Sequence, residues 1–212
     1  MSEFREPPPE AILFDLGGVL MDFSGLQRLA ELTGEDNDAA FGERWGRSPW
    51  LQAFERGHCT ATEFAAGVVG DWDLELTPEE FLLEFANWPA GPFEGAVELV
   101  RHLYGKVPMG CLSNTNPIHW QAHLDRWEIV RYFEWTFVSY ELGMMKPDPD
   151  LYDYVLGEVG VAAGRLLFLD DCDEHVIAAR ERGIRSHAVV GLEAVRASIA
   201  KHLPLIKTPP FR

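Results

Sequence analysis

Residues 11–14 read Ala-Ile-Leu-Phe, an unbroken apolar run that stops at Asp15 and meets two glycines at 17 and 18. A run of this kind predicts a strand buried on both faces, as in a parallel sheet. The glycines predict a sharp turn after it. Apolar stretches over 108–112, 135–139, 165–169 and 186–190 predict further strands, and helix-like stretches over 94–104, 116–127, 150–157 and 174–183 separate them. Strands alternating with helices predict an α/β chain with a doubly wound parallel sheet. Residues 21–91 break that rhythm and read as mostly helical, without strand-like alternation. Apolar residues at 26, 29, 30 and 32 mark one amphipathic helix over 24–32. Thr60 followed by Glu63 forms a capping box for a helix over 60–69, and Thr77-Pro78 opens another with proline in its first position. Trp45, Trp50, Phe54, Trp72 and Trp88 crowd this segment, and their spacing predicts a second apolar core rather than a ligand surface. The expected organisation is therefore a discontinuous core of residues 1–20 and 92–212, interrupted by a helical insert of residues 21–91.

The chain has 212 residues, 47% of them hydrophobic, enough for one large domain or a domain with an insert. No apolar run approaches the roughly 20 residues that span a bilayer, so no membrane partner is expected. The first ten residues, rich in proline and glutamate, lack an apolar signal core and read as a short arm, which implies a cytoplasmic protein. Cys59, Cys111 and Cys172 do not have metal-ligand spacing and are expected to be reduced thiols. With 18 basic and 34 acidic residues the net charge is −16, which argues against nucleic acid as a partner. A small phosphorylated metabolite is not excluded, because it needs only a bound cation and a few local donors.

The predicted strand ends carry the chemistry. Asp15 closes the first strand; Ser113-Asn114 close the strand over 108–112; Asp170-Asp171 close the strand over 165–169. Lys146 stands before Pro147 in a stiff loop. In open α/β sheets ligands bind at the carboxyl ends of the strands. A carboxylate, a hydroxyl and an amide, a lysine and a second acidic pair together suit a divalent cation and a phosphate. Each has a plainer reading beside this one: Asp15 or Asp170-Asp171 as helix caps, Lys146 as a solvated surface residue.

In order and spacing these strings resemble the motifs of the haloacid dehalogenase-like hydrolases. Phe14-Asp15-Leu16-Gly17-Gly18-Val19 resembles the first motif, Leu112-Ser113-Asn114-Thr115-Asn116 the second, Lys146-Pro147 the third and Phe168-Leu169-Asp170-Asp171 the fourth. The chain looks most similar to the small bacterial glucose-1-phosphate phosphatase branch. The resemblance implies a Rossmann-like core with an inserted helical cap. It implies a magnesium-dependent phosphomonoester hydrolase acting through an aspartyl-phosphate on a small metabolite such as a sugar phosphate. Asp15 would be the nucleophile; Asp15, the Gly17 carbonyl and Asp171 would ligate Mg2+, with Asp170 the alternative ligand or an orienting partner of Lys146. Ser113, Asn114 and Lys146 would bind the phosphate and assist catalysis.

Two positions depart from that pattern. The family often has Asn where His175 stands. Its phosphatases usually carry an aspartate two residues after the nucleophile, as acid for the leaving group, and here that position is Gly17. Asp22 would substitute as acid or cap the first insert helix. Dehalogenases also lack that aspartate, so two other readings stand beside the phosphatase: a metal-independent 2-haloacid dehalogenase and a non-catalytic phosphate-binding regulatory protein. Within the insert, Arg47, Trp50 and His58 are the candidates for contacting the variable part of a substrate.

Overall fold

The apolar runs assemble into a parallel sheet because both of their faces are covered. In the computed structural model, which describes residues 7–204 and 206, the central strand is β1 (Ala11–Phe14). The expected arm lies outside the described residues over 1–6. β1 pairs in parallel with β4 (Met109–Ser113) on one side and β6 (Leu166–Asp170) on the other. β5 (Trp135–Val138) and β7 (Arg185–Ala188) complete the order β5-β4-β1-β6-β7. The side chains alternate as a parallel strand demands. Ile12, Phe14, Leu167 and Leu169 pack into one core with helices α6 (Ala96–Leu103) and α11 (Gly191–His202). Ala11, Leu13, Leu166 and Phe168 pack into another with α9 (Pro149–Val159) and α10 (Asp173–Glu181). Strand order reverses direction at β1, so the carboxyl ends of β1, β4 and β6 flank the crevice where such folds bind ligands.

Between residues 24 and 88 the chain forms five helices around a separate, aromatic-rich core. These are α1 (Gly25–Thr33), α2 (Ala39–Gly46), α3 (Pro49–Glu55), α4 (Ala61–Asp71) and α5 (Pro78–Phe85). Phe54 stacks on Phe64 with ring centroids 4.5 Å apart, and Trp45, Trp72 and Trp88 are buried in the same cluster. The predicted capping box at Thr60 is present, and the predicted helix start at Thr77-Pro78 carries one too: the Thr60 and Thr77 side chains accept from the backbones of Glu63 and Glu80, whose side chains bond back.

Two expectations are corrected, and one element is added. The 21–91 segment does contain strands: β2 (Met21–Phe23) and β3 (Pro89–Pro92) pair antiparallel. They escape notice because each is short and Pro89, Gly91 and Pro92 leave no apolar alternation. Asp22 lies in β2 and does not cap α1; Ser24 occupies that position, and its hydroxyl donates to the Trp88 carbonyl at 3.1 Å. The final helix α11 was not among the expected elements, although Leu192, Val195 and Ile199 give it an apolar stripe. Among the described residues no helix is long and apolar enough to cross a membrane.

Candidate active site

Asp15, Ser113 and Asp170 stand at the carboxyl ends of β1, β4 and β6, and Lys146 reaches them from the loop before α9. The N–H of Asp15 donates to the Leu169 carbonyl at 2.8 Å, extending the β1–β6 pairing by one residue. The chain then turns tightly: the Leu16 carbonyl accepts from Leu20 and Met21 at 2.9 and 2.8 Å. Gly18 adopts φ +70°, and a Cβ there would sit 2.2 Å from Oδ2 of Asp171. Gly18 thus gives both the turn and the room for Asp171. Gly18→Ala is expected to strain the backbone by about 1–2 kcal/mol and to displace the Asp171 carboxylate. Thermal unfolding with and without magnesium checks both effects; an unchanged magnesium response would show that Asp171 moves aside without consequence.

Lys146 is 1% exposed and bridges two carboxylates, Nζ to Asp15 Oδ1 at 2.8 Å and to Asp170 Oδ2 at 2.6 Å. Asn114 holds its loop in place. The Asn114 amide nitrogen donates to the Lys146 carbonyl at 2.9 Å, and the Lys146 N–H donates to the amide oxygen at 2.8 Å. Both ends of the Asn114 side chain are therefore committed to positioning Lys146. One amide N–H is used in this way, and the second amide N–H and the backbone N–H are the donors Asn114 has left for a phosphate. Ser113 keeps its hydroxyl at the cavity wall.

The acidic pair divides its work. Asp170 is fully buried, and besides Lys146 it accepts from the Cys172 N–H at 2.8 Å and faces His175 Nδ1 at 3.0 Å. Burial alone would raise its pKa, but Lys146 and His175 hold the carboxyl well below the usual range. Asp171 is more exposed. Burial and the Asp170 charge push its carboxyl upward. Asp15 is likewise raised by burial, against the pull of Lys146, with Asp170 and Asp171 adding to the effect. The Lys146 ammonium is held protonated because both carboxylates outweigh its desolvation. His175, in the place where the family often has Asn, makes a definite contact, to Asp170.

One carboxylate oxygen from each of Asp15, Asp170 and Asp171 lies within 4.8 Å of the others. Beside them opens a cavity of about 170 Å³. Its floor is Asp15, Gly17, Ser113, Asn114, Thr115 and Lys146. Its roof comes from the insert and the β2–β3 pair: Met21, Asp22, Phe23, Trp45, Leu51, Glu55, Phe85 and Pro89. His119 closes one side. Its Nε2 lies 2.8 Å from the Phe85 carbonyl and must be the donor there, which ties α7 (Pro117–Arg126) to α5.

The insert residues expected at the substrate do not line this cavity. Arg47 is exposed and pairs with Glu43 at 2.7 Å; Trp50 packs over Gly67; His58 is exposed beyond the end of α3. Glu55, by contrast, went unnoticed. Burial pushes its carboxyl up to about 7, with Lys146 opposing and Asp15 reinforcing the shift. A signal was available, since Leu51 and Glu55 stand four residues apart on one face of α3. A carboxylate continuing an apolar face is a buried charge in want of a reason.

A family model, haloacid dehalogenase-like hydrolase, matches residues 9–183. The chain belongs to this family. Among relatives of the hydrolase, a D-ribitol-5-phosphate phosphatase of Bacteroides thetaiotaomicron is 25% identical over 184 residues, covering 82% of this chain and 89% of that protein. Flavin mononucleotide hydrolase 1 of Arabidopsis thaliana is 37% identical over 136 residues, covering 64% of this chain and 54% of its own. A crystal structure of a HAD family enzyme from Bacteroides thetaiotaomicron, a point mutant in complex with magnesium and inorganic phosphate, superposes with a TM-score of 0.71. It is 25% identical and covers 85% of this chain and 93% of its own. The L-2-haloacid dehalogenase of Xanthobacter autotrophicus shares the fold, with a TM-score of 0.58, 21% identity and coverage of 93% and 86%.

Proposed function

We propose that this hydrolase is a magnesium-dependent phosphomonoesterase that works through an aspartyl-phosphate on Asp15 and acts on a small sugar or polyol phosphate. The observation that carries this reading is the convergence of Asp15, Asp170 and Asp171 around Lys146. Three carboxylates at one sheet edge share a single ammonium group, so the site has an excess of negative charge on hard oxygen donors. That donor set suits magnesium. Asp170 is already occupied by three donors, which leaves Asp15 and Asp171 as the carboxylate ligands, with the Gly17 carbonyl as the third protein oxygen. When bound, the cation offsets the charge of the phosphoryl oxygens.

The chain's own groups do the rest. A free oxygen of Asp15 attacks phosphorus while the bond to the leaving oxygen breaks, and water then hydrolyses the aspartyl-phosphate. Lys146 neutralises charge that develops on the transferring group, and the Ser113 hydroxyl donates to it. Asn114 and Asp170 keep Lys146 in place. The helical segment 24–88 roofs the cavity as a cap and excludes water from the reaction.

The lining also supports a substrate class. Among the described residues that line the cavity, Lys146 alone carries a fixed positive charge, against Asp15, Asp22 and Glu55. Carboxylates accept hydrogen bonds from hydroxyl groups but repel a second anion. A neutral polyol therefore fits the roof better than phosphoglycolate or a 2-haloacid, each of which brings its own carboxylate. The volume lies below the roughly 300–1,000 Å³ of sites for drug-sized ligands, as a small metabolite requires.

The test is phosphate release from p-nitrophenyl phosphate with magnesium and with chelator. Release that depends on magnesium is expected. Magnesium should also raise the unfolding temperature, by about 2.7 kcal/mol of stabilisation at 100 times its Kd. Asp171→Ala should remove that rise and Cys172→Ala should keep it. If magnesium alters neither activity nor stability of the wild type, the reading fails.

A further inference from the structure

A phosphomonoesterase of this kind must protonate its leaving oxygen, and the position that usually supplies the proton is Gly17 here. A Cβ built on Gly17 would meet nothing within 4 Å, so the space beside Asp15 opens into the cavity without a side chain to fill it. The other proton carriers nearby are engaged. Lys146 holds two carboxylates, His175 faces Asp170, and the Nε2–H of His119 is given to the Phe85 carbonyl. Asp22 is exposed at the edge of the cavity. Glu55 remains. It is partly buried and lines the same cavity as Asp15 and Gly17. Among the described residues nothing pairs with its carboxylate.

Glu55 is also held in position against the core. The next residue, Arg56, forms an ion pair with Asp148, with Nη2 donating to Oδ1 at 3.1 Å. Asp148 in turn accepts from the Met145 N–H at 3.2 Å, one residue before Lys146. Gly57, at φ +69°, lies so close to Tyr140 that a Cβ there would sit 2.5 Å from its carbonyl oxygen. Two successive contacts thus moor the end of α3 to the core on either side of the Lys146 loop. An insert side chain is thereby placed with the firmness expected of a core one.

We propose that Glu55 is the general acid–base of this enzyme, reaching from the insert to take the role that Gly17 cannot fill. The inference rests on the phosphomonoesterase reading above. In the first step the Asp15–phosphorus bond forms, the phosphorus–leaving-oxygen bond breaks, and the Glu55 carboxyl proton passes to the leaving oxygen. In the second, the Glu55 carboxylate takes a proton from water as that water's oxygen bonds to phosphorus and the Asp15–phosphorus bond breaks. Inorganic phosphate leaves, and Glu55 is protonated again. The burial that raises its carboxyl keeps a proton available near neutrality.

The experiment compares two esters on the full chain with magnesium. p-Nitrophenolate departs without a proton, whereas the alkoxide of ribitol 5-phosphate needs one. Glu55→Gln should lower kcat/KM for the alkyl ester by about 10²–10⁴-fold, the usual worth of a positioned acid, and leave kcat/KM for p-nitrophenyl phosphate within a few-fold. Because the second step loses its base, the variant should release one equivalent of p-nitrophenol in a burst before slow turnover. Adding Gly17→Asp to Glu55→Gln should restore the alkyl ester, since the position has room for a side chain. Equal losses on both esters, or no loss on either, would overturn the assignment. So would the ester-dependent loss appearing in Asp22→Asn and not in Glu55→Gln. Failure of the wild type to release phosphate from p-nitrophenyl phosphate is a different result. It strikes at the phosphomonoesterase reading and takes this inference with it.

Discussion

Asp15→Asn is expected to abolish phosphate release, by more than about 10⁴-fold, while the protein stays folded. Removal of a nucleophile commonly costs that much or more, because the remaining groups have nothing to assist. The substitution keeps the size of the side chain and removes its charge. An amide oxygen can still accept from Lys146, where the carboxylate now does so at 2.8 Å. The fold also loses the repulsion between Asp15 and its neighbours Asp170 and Asp171, which lie within 4.8 Å. Unfolding in chelator should therefore occur at or above the wild-type temperature, even as activity vanishes. Phosphate release above about a hundredth of the wild-type rate would remove Asp15 from the role of nucleophile.

The largest loss of stability should follow Lys146→Met. Methionine fills a similar volume but leaves Asp15 and Asp170 buried beside each other without a cation. Breaking a buried ion pair from one side costs about 3–5 kcal/mol, and here two pairs break together. Urea unfolding at neutral pH measures it. The sign with pH follows from Asp170, whose carboxyl Lys146 and His175 hold below the usual range. A lowered folded-state value contributes stability above the unfolded value, and that stability is lost as pH falls. The gap between wild type and variant should therefore narrow below about pH 4, where free aspartates take up protons. A gap under about 1 kcal/mol at neutral pH would mean that water reaches both carboxylates. Activity should be lost as well, because the same ammonium group neutralises the transferring phosphoryl group.

The residues legible in the chain are those whose chemistry coincides with a local backbone event. Asp15 ends an apolar run and precedes glycines; Asp170-Asp171 end another; Lys146 stands before a proline. Each is marked by the punctuation of its own strand or loop, so the floor of the site could be read without three-dimensional information. The capping box at Thr60 and the helix start at Thr77-Pro78 were readable for the same reason. The roof was not. Which face of each insert helix meets the substrate is decided by how five helices pack on one another, and neighbouring residues in sequence do not encode that. Arg47 carries a suitable charge but points to solvent, whereas Glu55 belongs to no motif and lines the cavity. Asn114 shows a subtler limit. Its place at a strand end was evident, but a side chain with both a donor and an acceptor serves a loop backbone as well as a phosphate. The β2–β3 pair was missed because backbone pairing, and no side-chain pattern, holds it together.

That small ribbon has a consequence for how such an enzyme can change. Met21 pairs with Pro92, so the chain leaves the core and re-enters it at neighbouring points. Everything between is a loop whose ends are already closed. The entropy of bringing those ends together grows only slowly with the length enclosed, by about 0.6 kcal/mol per doubling. Helices can be lengthened, lost or exchanged beyond the ribbon while β1 and β4 keep their register. The floor, with its phosphorus chemistry, is in this sense a socket, and the insert is a part that can be swapped for another with different tastes. If Glu55 completes the reaction, such a swap here would remove a catalytic proton together with the specificity.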